Sequence, residues 1–178
     1  MLGIDYSSHS VELARRIAKD WTAEASDSDA DGHDDSTDVE PPSFRQWDII
    51  NGSFRDVLED AGHSGGWDVV LDKGTFDAVS LSDDRDPGGR RINELYRDRV
   101  LRLVRPGGIF LITSCNWTED ELGAWFTCAT DAVGAGRDVG VDEGVGRFIF
   151  DGRVVYKSFS FGGVKGQTIS SLCFRKIT

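Results

Sequence analysis

The chain has 178 residues, enough for one domain with a sizeable core, and its 21 glycines against four prolines suit a loop-rich α/β fold better than a helical bundle. A net charge of −11 argues against binding to a nucleic-acid backbone, which needs clustered Lys and Arg. Cys115, Cys128 and Cys173 show no paired spacing and lie far from His9, His33 and His63, so neither a disulfide framework nor a metal site is expected. With no apolar run of membrane length, the cytoplasm is the expected compartment.

Leu2 to Asp5 reads as a short strand. Ser7 or Ser8 can cap the helix that follows, in which Val11, Ala14, Ile17, Ala18 and Trp21 recur at helical spacing and predict one buried face. Residues 24–40 then hold eight acidic side chains and no Lys or Arg. Leaving those eight out, the net charge is only −3. The composition predicts a disordered acidic insert over 23–43, either merely solvated or serving as an arm that attracts a basic partner.

Trp47 to Ile50 reads as the next strand, with Asn51-Gly52-Ser53 turning out of it. Trp67 to Leu71 is a third, and its run Val69-Val70-Leu71 predicts burial on both faces. Asp72-Lys73-Gly74 lie at its carboxyl end, the end at which open α/β sheets bind ligands. Thr75 to Leu81 is expected to start helically and break at residues 83–89. Ile92, Leu95, Tyr96, Val100, Leu103 and Val104 form the clearest amphipathic stripe, stopped by Pro106-Gly107-Gly108.

Ile109 to Thr113 is a fourth strand, ending in Ser114-Cys115-Asn116-Trp117. Thr118-x-x-Glu121 is a capping box for a helix through Phe126. A second, Gly- and Asp-rich insert is expected over 128–146. Phe148 to Tyr156 alternates around Asp151-Gly152, a hairpin signal. Residues 156–161 and 168–176 read as an antiparallel pair across the Gly162–Gly166 turn.

Three pieces carry candidate chemistry. Asp5 closes the first strand, where a carboxylate can accept both hydroxyls of a ribose or simply favour a helix start. Asp72 either orients a cationic group or sits in a structural ion pair, with Lys73 pairing with Asp72 or Asp77. Trp117 either offers its ring face to a cationic group by cation–π attraction or packs on the helix that begins at Thr118. Asn116 can offer its amide oxygen to an amine. Cys115 reads as a small packed residue.

The runs Gly3-Ile4-Asp5-Tyr6-Ser7, Leu71-Asp72-Lys73-Gly74-Thr75-Phe76-Asp77-Ala78, Phe110-Leu111-Ile112-Thr113-Ser114-Cys115-Asn116-Trp117 and Phe159-Ser160-Phe161-Gly162-Gly163 resemble the S-adenosylmethionine-dependent methyltransferases. The likeness is to the eukaryotic protein-lysine methyltransferases that act on translation elongation factor 1-alpha. It implies a single domain over 1–178 with an α/β, Rossmann-like seven-stranded methyltransferase sheet, closed by an antiparallel pair.

It also implies S-adenosyl-L-methionine as cofactor, a protein substrate and a monomer. Asp5, Tyr6, Asn51, Gly52, Ser53, Asp72 and Lys73 are then expected at the cofactor. Phe76, Asn116, Trp117, Phe161 and Gly162 are expected at the substrate, with Asp72, Asn116 and Trp117 at the reacting amine. Asn51 to Ser53 stand where an adenine contact is expected, or form an ordinary Asn-Gly turn. Phe161 and Gly162 belong to a substrate-touching hairpin, or place aromatics before a tight turn.

No Gly-x-Gly stretch precedes Gly3. The resemblance therefore implies a sheet truncated before strand two, with strand one and the glycine-rich loop absent, and a chain that is inactive or poorly folded alone. Two other readings stay open: a nicotinamide-dependent oxidoreductase, since Asp5 serves any adenosine ribose, and a non-catalytic binding module.

Overall fold

The computed structural model describes residues 1–28, 41–128, 146–157, 159–161, 164–166 and 169–178. They form two compact units, Met1–Ala61 and Gly62–Thr178.

The first unit contains β1 (Leu2–Asp5), α1 (Ser8–Ser28), β2 (Ser43–Gln46) and α2 (Phe54–Val57). β1 and β2 pair in parallel, from Leu2 opposite Ser43 to Asp5 opposite Gln46. A parallel pair needs a long crossover, and α1 lies on it. The turn into α1 is local chemistry: the Asp5 carboxylate accepts from Ser7 N–H at 2.7 Å, and Ser7 Oγ accepts from Ser10 N–H.

Two expectations change here. The strand read at Trp47 to Ile50 is instead Ser43–Gln46. Trp47 N–H makes the last bond toward Asp5 O, after which Asp48 takes over. Its carboxylate accepts from Ile50 N–H and from Asn51 Nδ2, and its carbonyl accepts from Gly52 N–H. This side-chain-stabilised turn outcompetes the strand preference of two isoleucines.

The buried stripe of α1 also fades. Val11 is buried and Ala14 and Ala18 are half-buried, but Ile17 and Trp21 are exposed, Trp21 by 72%. Twenty-one helical residues span about 31 Å, whereas a four-residue strand spans about 13 Å, so the helix outruns the pair it packs on. Because α1 runs to Ser28, the helix enters the segment expected as an insert; residues 29–40 lie outside the described residues.

The second unit contains β3 (Trp67–Lys73), α3 (Thr75–Ser80), α4 (Ile92–Leu103), β4 (Val104–Ser114), α5 (Glu119–Thr127), β5 (Arg147–Val154), β6 (Phe159–Phe161), β7 (Val164–Gly166) and β8 (Ser170–Ile177). The strand order is β3-β4-β8-β5, with β3 parallel to β4 and β8 antiparallel to both its neighbours. The core is an aromatic cluster. Phe126 of α5 meets Phe76 at 5.2 Å, Phe110 at 5.2 Å and Phe174 at 5.4 Å between ring centroids. Lys176, on the same side of β8, is buried and donates through Nζ to the carbonyls of Leu101 and Val104. It thereby satisfies acceptors at the end of α4.

Four expectations change in this unit. β3 is not buried on both faces: Val69 is 53% and Leu71 68% exposed. Strand alternation turns Val70 and Asp72 toward the helices and Val69 and Leu71 away, and β3 is the edge of its sheet. Val104, expected at the end of a helix, is the first residue of β4 and pairs with Trp67. The ladder resumes only at Ile109 opposite Val69, so the intervening residues bulge out, pinned by Arg105 Nε donating to Asp68 Oδ1 at 2.6 Å.

Asp151-Gly152 does not turn a hairpin. β5 continues along β8 with a register shift there, and Asp151 instead accepts from Arg175. Finally, β8 pairs with β4 and β5, while β6 and β7 form their own two-stranded hairpin. Long-range pairing of this kind overrides local alternation. Residues 129–145, most of the second expected insert, lie outside the described residues.

Candidate active site

β3 ends in a turn that requires glycine. Gly74 has φ +84°, and the residue after it begins α3. The Asp72 carboxylate closes this turn: Oδ1 accepts from Thr75 N–H at 2.8 Å and Oδ2 from Phe76 N–H at 3.0 Å. It thus satisfies two of the donors a helix start leaves free. Tyr96 of α4 adds a third bond, its hydroxyl donating to Asp72 Oδ2 at 2.5 Å. Burial, and then the charge of Asp72, push the Tyr96 phenol well above the ordinary tyrosine range.

The end of β4 is held from the same helix. Asp77 accepts from the Ser114 hydroxyl through Oδ1 and from Cys115 N–H through Oδ2, the latter at 2.8 Å. Ser114 Oγ in turn accepts from the N–H groups of Asn116 (3.1 Å) and Trp117 (3.0 Å). The Trp117 indole donates to Ser80 Oγ at 3.0 Å and packs on Phe76 at 5.1 Å and Trp125 at 5.4 Å.

Asp72, Lys73, Phe76, Asn116 and Trp117 therefore gather at the carboxyl ends of β3 and β4. Phe76 has no exposed surface and supports the site from beneath. Trp117 packs and is part-buried, whereas Asn116 is exposed and its carboxamide has no partner among the described residues. Lys73 is exposed and makes no ion pair among the described residues, so the expected pairing with Asp72 or Asp77 is not formed. Asp72 and Asp77 are both buried, hydrogen-bonded and without a cationic partner among the described residues. Two such anions favour a cationic ligand nearby.

The other expected cofactor residues lie in the first unit. Asp5 Oδ1 is used by Ser7, while Oδ2 has no partner among the described residues and fits a ribose hydroxyl. Asn51 spends its NH₂ on Asp48, leaving its carbonyl oxygen as an acceptor toward an amino group. Gly52 is required sterically, since a Cβ there would stand 2.3 Å from Trp47 Nε1. Ser53 caps α2 by accepting from Arg55 N–H, and Tyr6 is 77% exposed. These donors and acceptors fit an adenosine. Phe161 closes β6, its side chain outside the described residues, as Gly162 is altogether.

Tyr96, Asp77 and Ser114 were not among the expected site residues. Tyr96 carried only a helical-stripe signal. Asp77 and Ser114 stood inside the resembling runs, but the bond between them spans 37 residues and has no local signature.

No family profile matches the chain. Among characterised proteins, it is 36% identical to the protein-lysine N-methyltransferase EFM4 of Saccharomyces cerevisiae, over 99% of this chain and 59% of the yeast protein. It is 35% identical to efm4 of Schizosaccharomyces pombe, over 98% of this chain and 57% of that one. The chain is a relative of these protein-lysine N-methyltransferases. It spans somewhat under three fifths of their length. Mouse EEF1A lysine methyltransferase 2 is 36% identical over 71% of the chain and 43% of its own length. A SAM-dependent methyltransferase from Methanosarcina mazei superimposes with a TM-score of 0.55 at 16% identity, covering 99% of this chain and 81% of that one. The fold is thus the Rossmann-like methyltransferase fold, with its mixed sheet.

Proposed function

We propose that this protein is a protein-lysine N-methyltransferase that uses S-adenosyl-L-methionine to methylate elongation factor 1-alpha, working as a monomer in the cytoplasm. The observation that carries the reading is the 36% identity to yeast EFM4 along nearly the whole chain. The names of the mouse and fish relatives, both EEF1A lysine methyltransferase 2, point to the substrate. Among the described residues, no helix is long and apolar enough to cross a membrane.

The cofactor supplies a methyl group activated on a sulfonium, so the chain's own residues chiefly bind and orient. Asp5 holds the ribose through its free oxygen, with Tyr6, Asn51, Gly52 and Ser53 around the base. Asp72 and Lys73 border the reacting centre. Asp72 would border the cofactor and the acceptor lysine, while its hydrogen bonds fix α3. Asn116 offers its carboxamide oxygen to the amine, which must be neutral to attack and so gives one proton to solvent before transfer and one more after it. Trp117 walls the lysine stem, held at a fixed angle by Ser80. Phe161 and Gly162 touch the protein substrate.

The test is titration calorimetry of S-adenosylmethionine into the chain, followed by transfer of labelled methyl to purified elongation factor 1-alpha. Saturable binding and label on a single lysine are expected, and either would overturn the expectation that the chain is inactive or poorly folded alone. Binding of a nicotinamide dinucleotide in place of S-adenosylmethionine, or no label on the factor, overturns the reading.

A further inference from the structure

Three consecutive backbone N–H groups leave β4, at Cys115, Asn116 and Trp117, and two side chains take all three. Asp77 Oδ2 accepts the first, and Ser114 Oγ the other two. Ser114 donates its own hydroxyl proton to Asp77 Oδ1. Ser114 is 1% exposed, and Asp77 is buried. A buried carboxylate without an ion pair costs stability, so a chain that needed only to end a strand gains little by keeping one here. Among the described residues its bonds reach only this turn, and the turn carries Asn116, whose carboxamide is exposed and has no partner among them.

We infer that Asp77 and Ser114 are positioning residues for the acceptor lysine: they set the turn that aims the Asn116 carboxamide at the substrate amine. The inference rests on the methyltransferase reading above and adds to it where the orientation of the amine comes from. Asp77 belongs to α3, and α3 is anchored to the end of β3 by Asp72, which also accepts from Tyr96. One hydrogen-bonded path therefore runs from α4 through both strand ends to Asn116. In-line displacement rewards such a path, because a misplacement of about 1 Å at the reacting atoms costs on the order of 100-fold in rate.

The variants are Ser114→Ala, Ser114→Thr and Asp77→Asn. Alanine frees two N–H groups, threonine restores the hydroxyl, and asparagine puts an NH₂ against one of the donors Asp77 accepts. Two readouts are taken. Amide hydrogen exchange is expected to lose about tenfold protection at residues 115–117 in Ser114→Ala, with Phe110 and Ile112 unchanged. Methyl transfer is expected to fall at least about tenfold in kcat for Ser114→Ala and Asp77→Asn, with S-adenosylmethionine affinity within about twofold, and to recover in Ser114→Thr.

Exchange unchanged at 115–117, or kcat retained in both Ser114→Ala and Asp77→Asn, overturns the inference. A kcat lost only in step with a general loss of amide protection does the same, since it makes the role merely structural. If the wild-type chain binds S-adenosylmethionine but labels no lysine, the methyltransferase reading itself falls, which the exchange data tell apart from a failure of the turn.

Discussion

The two units differ in how densely they bury their side chains. Among the described residues, the first buries the apolar side chains of Val11, Trp47 and Val57, whereas the second buries thirteen, five of them phenylalanines packed ring against ring. Both have a strand whose carboxyl end holds an Asp that accepts from the N–H groups of the following turn: Asp5 in one, Asp72 in the other. Among the described residues Asp5 has one oxygen without a partner and is part-exposed, while Asp72 is buried with both oxygens used. The same residue in the same topological place thus keeps an acceptor available among the described residues in a thin environment and is fully committed to local hydrogen bonds in a dense one. Burial and partner count separate the roles.

The sharpest way to break this comparison is to remove a ring from the dense unit. Phe126 is 1% exposed and touches Phe76, Phe110, Phe148 and Phe174. Phe126→Ala is expected to cost about 3–5 kcal/mol, read from the urea midpoint at constant m-value. A cost below about 1 kcal/mol would mean that the cluster is loosely packed and that the contrast between the units is not energetic.

The parts of this fold that could be read in the sequence are those made of local chemistry. The Thr118–Glu121 box is formed reciprocally, with Glu121 N–H to Thr118 Oγ1 and Thr118 N–H to the Glu121 carboxylate. The stripe from Ile92 is a helix because its period is helical over three turns. Pairings between distant segments were not legible. Alternation around Asp151-Gly152 looks like a hairpin until β8 supplies a partner for the whole stretch. The apolar run at Val69 to Leu71 looks like a doubly covered strand, yet covering depends on what lies beside it. At Trp47 to Ile50, a single carboxylate on Asp48 outweighed the strand preference around it. For the candidate site the division is the same: Asp72, Asn116 and Trp117 were expected from the run they occupy, whereas Tyr96, Asp77 and Ser114 enter only through the bonds they make across the sheet.

A second effect, smaller, separates the framework carboxylate from its surroundings by pH. With its folded-state pKa raised, the Tyr96 phenol keeps its proton in the folded chain after the unfolded chain has released it. Stability therefore falls as pH rises past the ordinary tyrosine value of about 10. Lys176 acts in the opposite sense. Burial pushes its ammonium below the usual lysine range, so the unfolded chain holds that proton longer. Stability gains from it as pH rises from the lowered value toward about 10.4. Tyr96→Phe is expected to cost about 2 kcal/mol at neutral pH, through the lost bond to Asp72, and to flatten the alkaline fall. Lys176→Met is expected to remove the opposing rise. Urea midpoints between about pH 8 and 11 check both, and a Tyr96→Phe profile parallel to wild type would show that the folded chain does not hold the Tyr96 proton more tightly than the unfolded one.

The smallest effect is the one that tests the thin unit. Ile17 and Trp21 follow the helical period of Val11, Ala14 and Ala18, and periodicity alone counts them as core. In the structure both are exposed, because α1 is longer than the strand pair beneath its first turns. An exposed apolar residue loses little contact when replaced, and glutamine keeps most of the helix preference of the site. Trp21→Gln and Ile17→Gln should therefore each change stability by less than about 0.5 kcal/mol, against the several expected for Phe126. A loss of about 2 kcal/mol or more at Trp21 would mean that the period had been right and the exposure wrong, and that the apolar face of α1 is covered along its length.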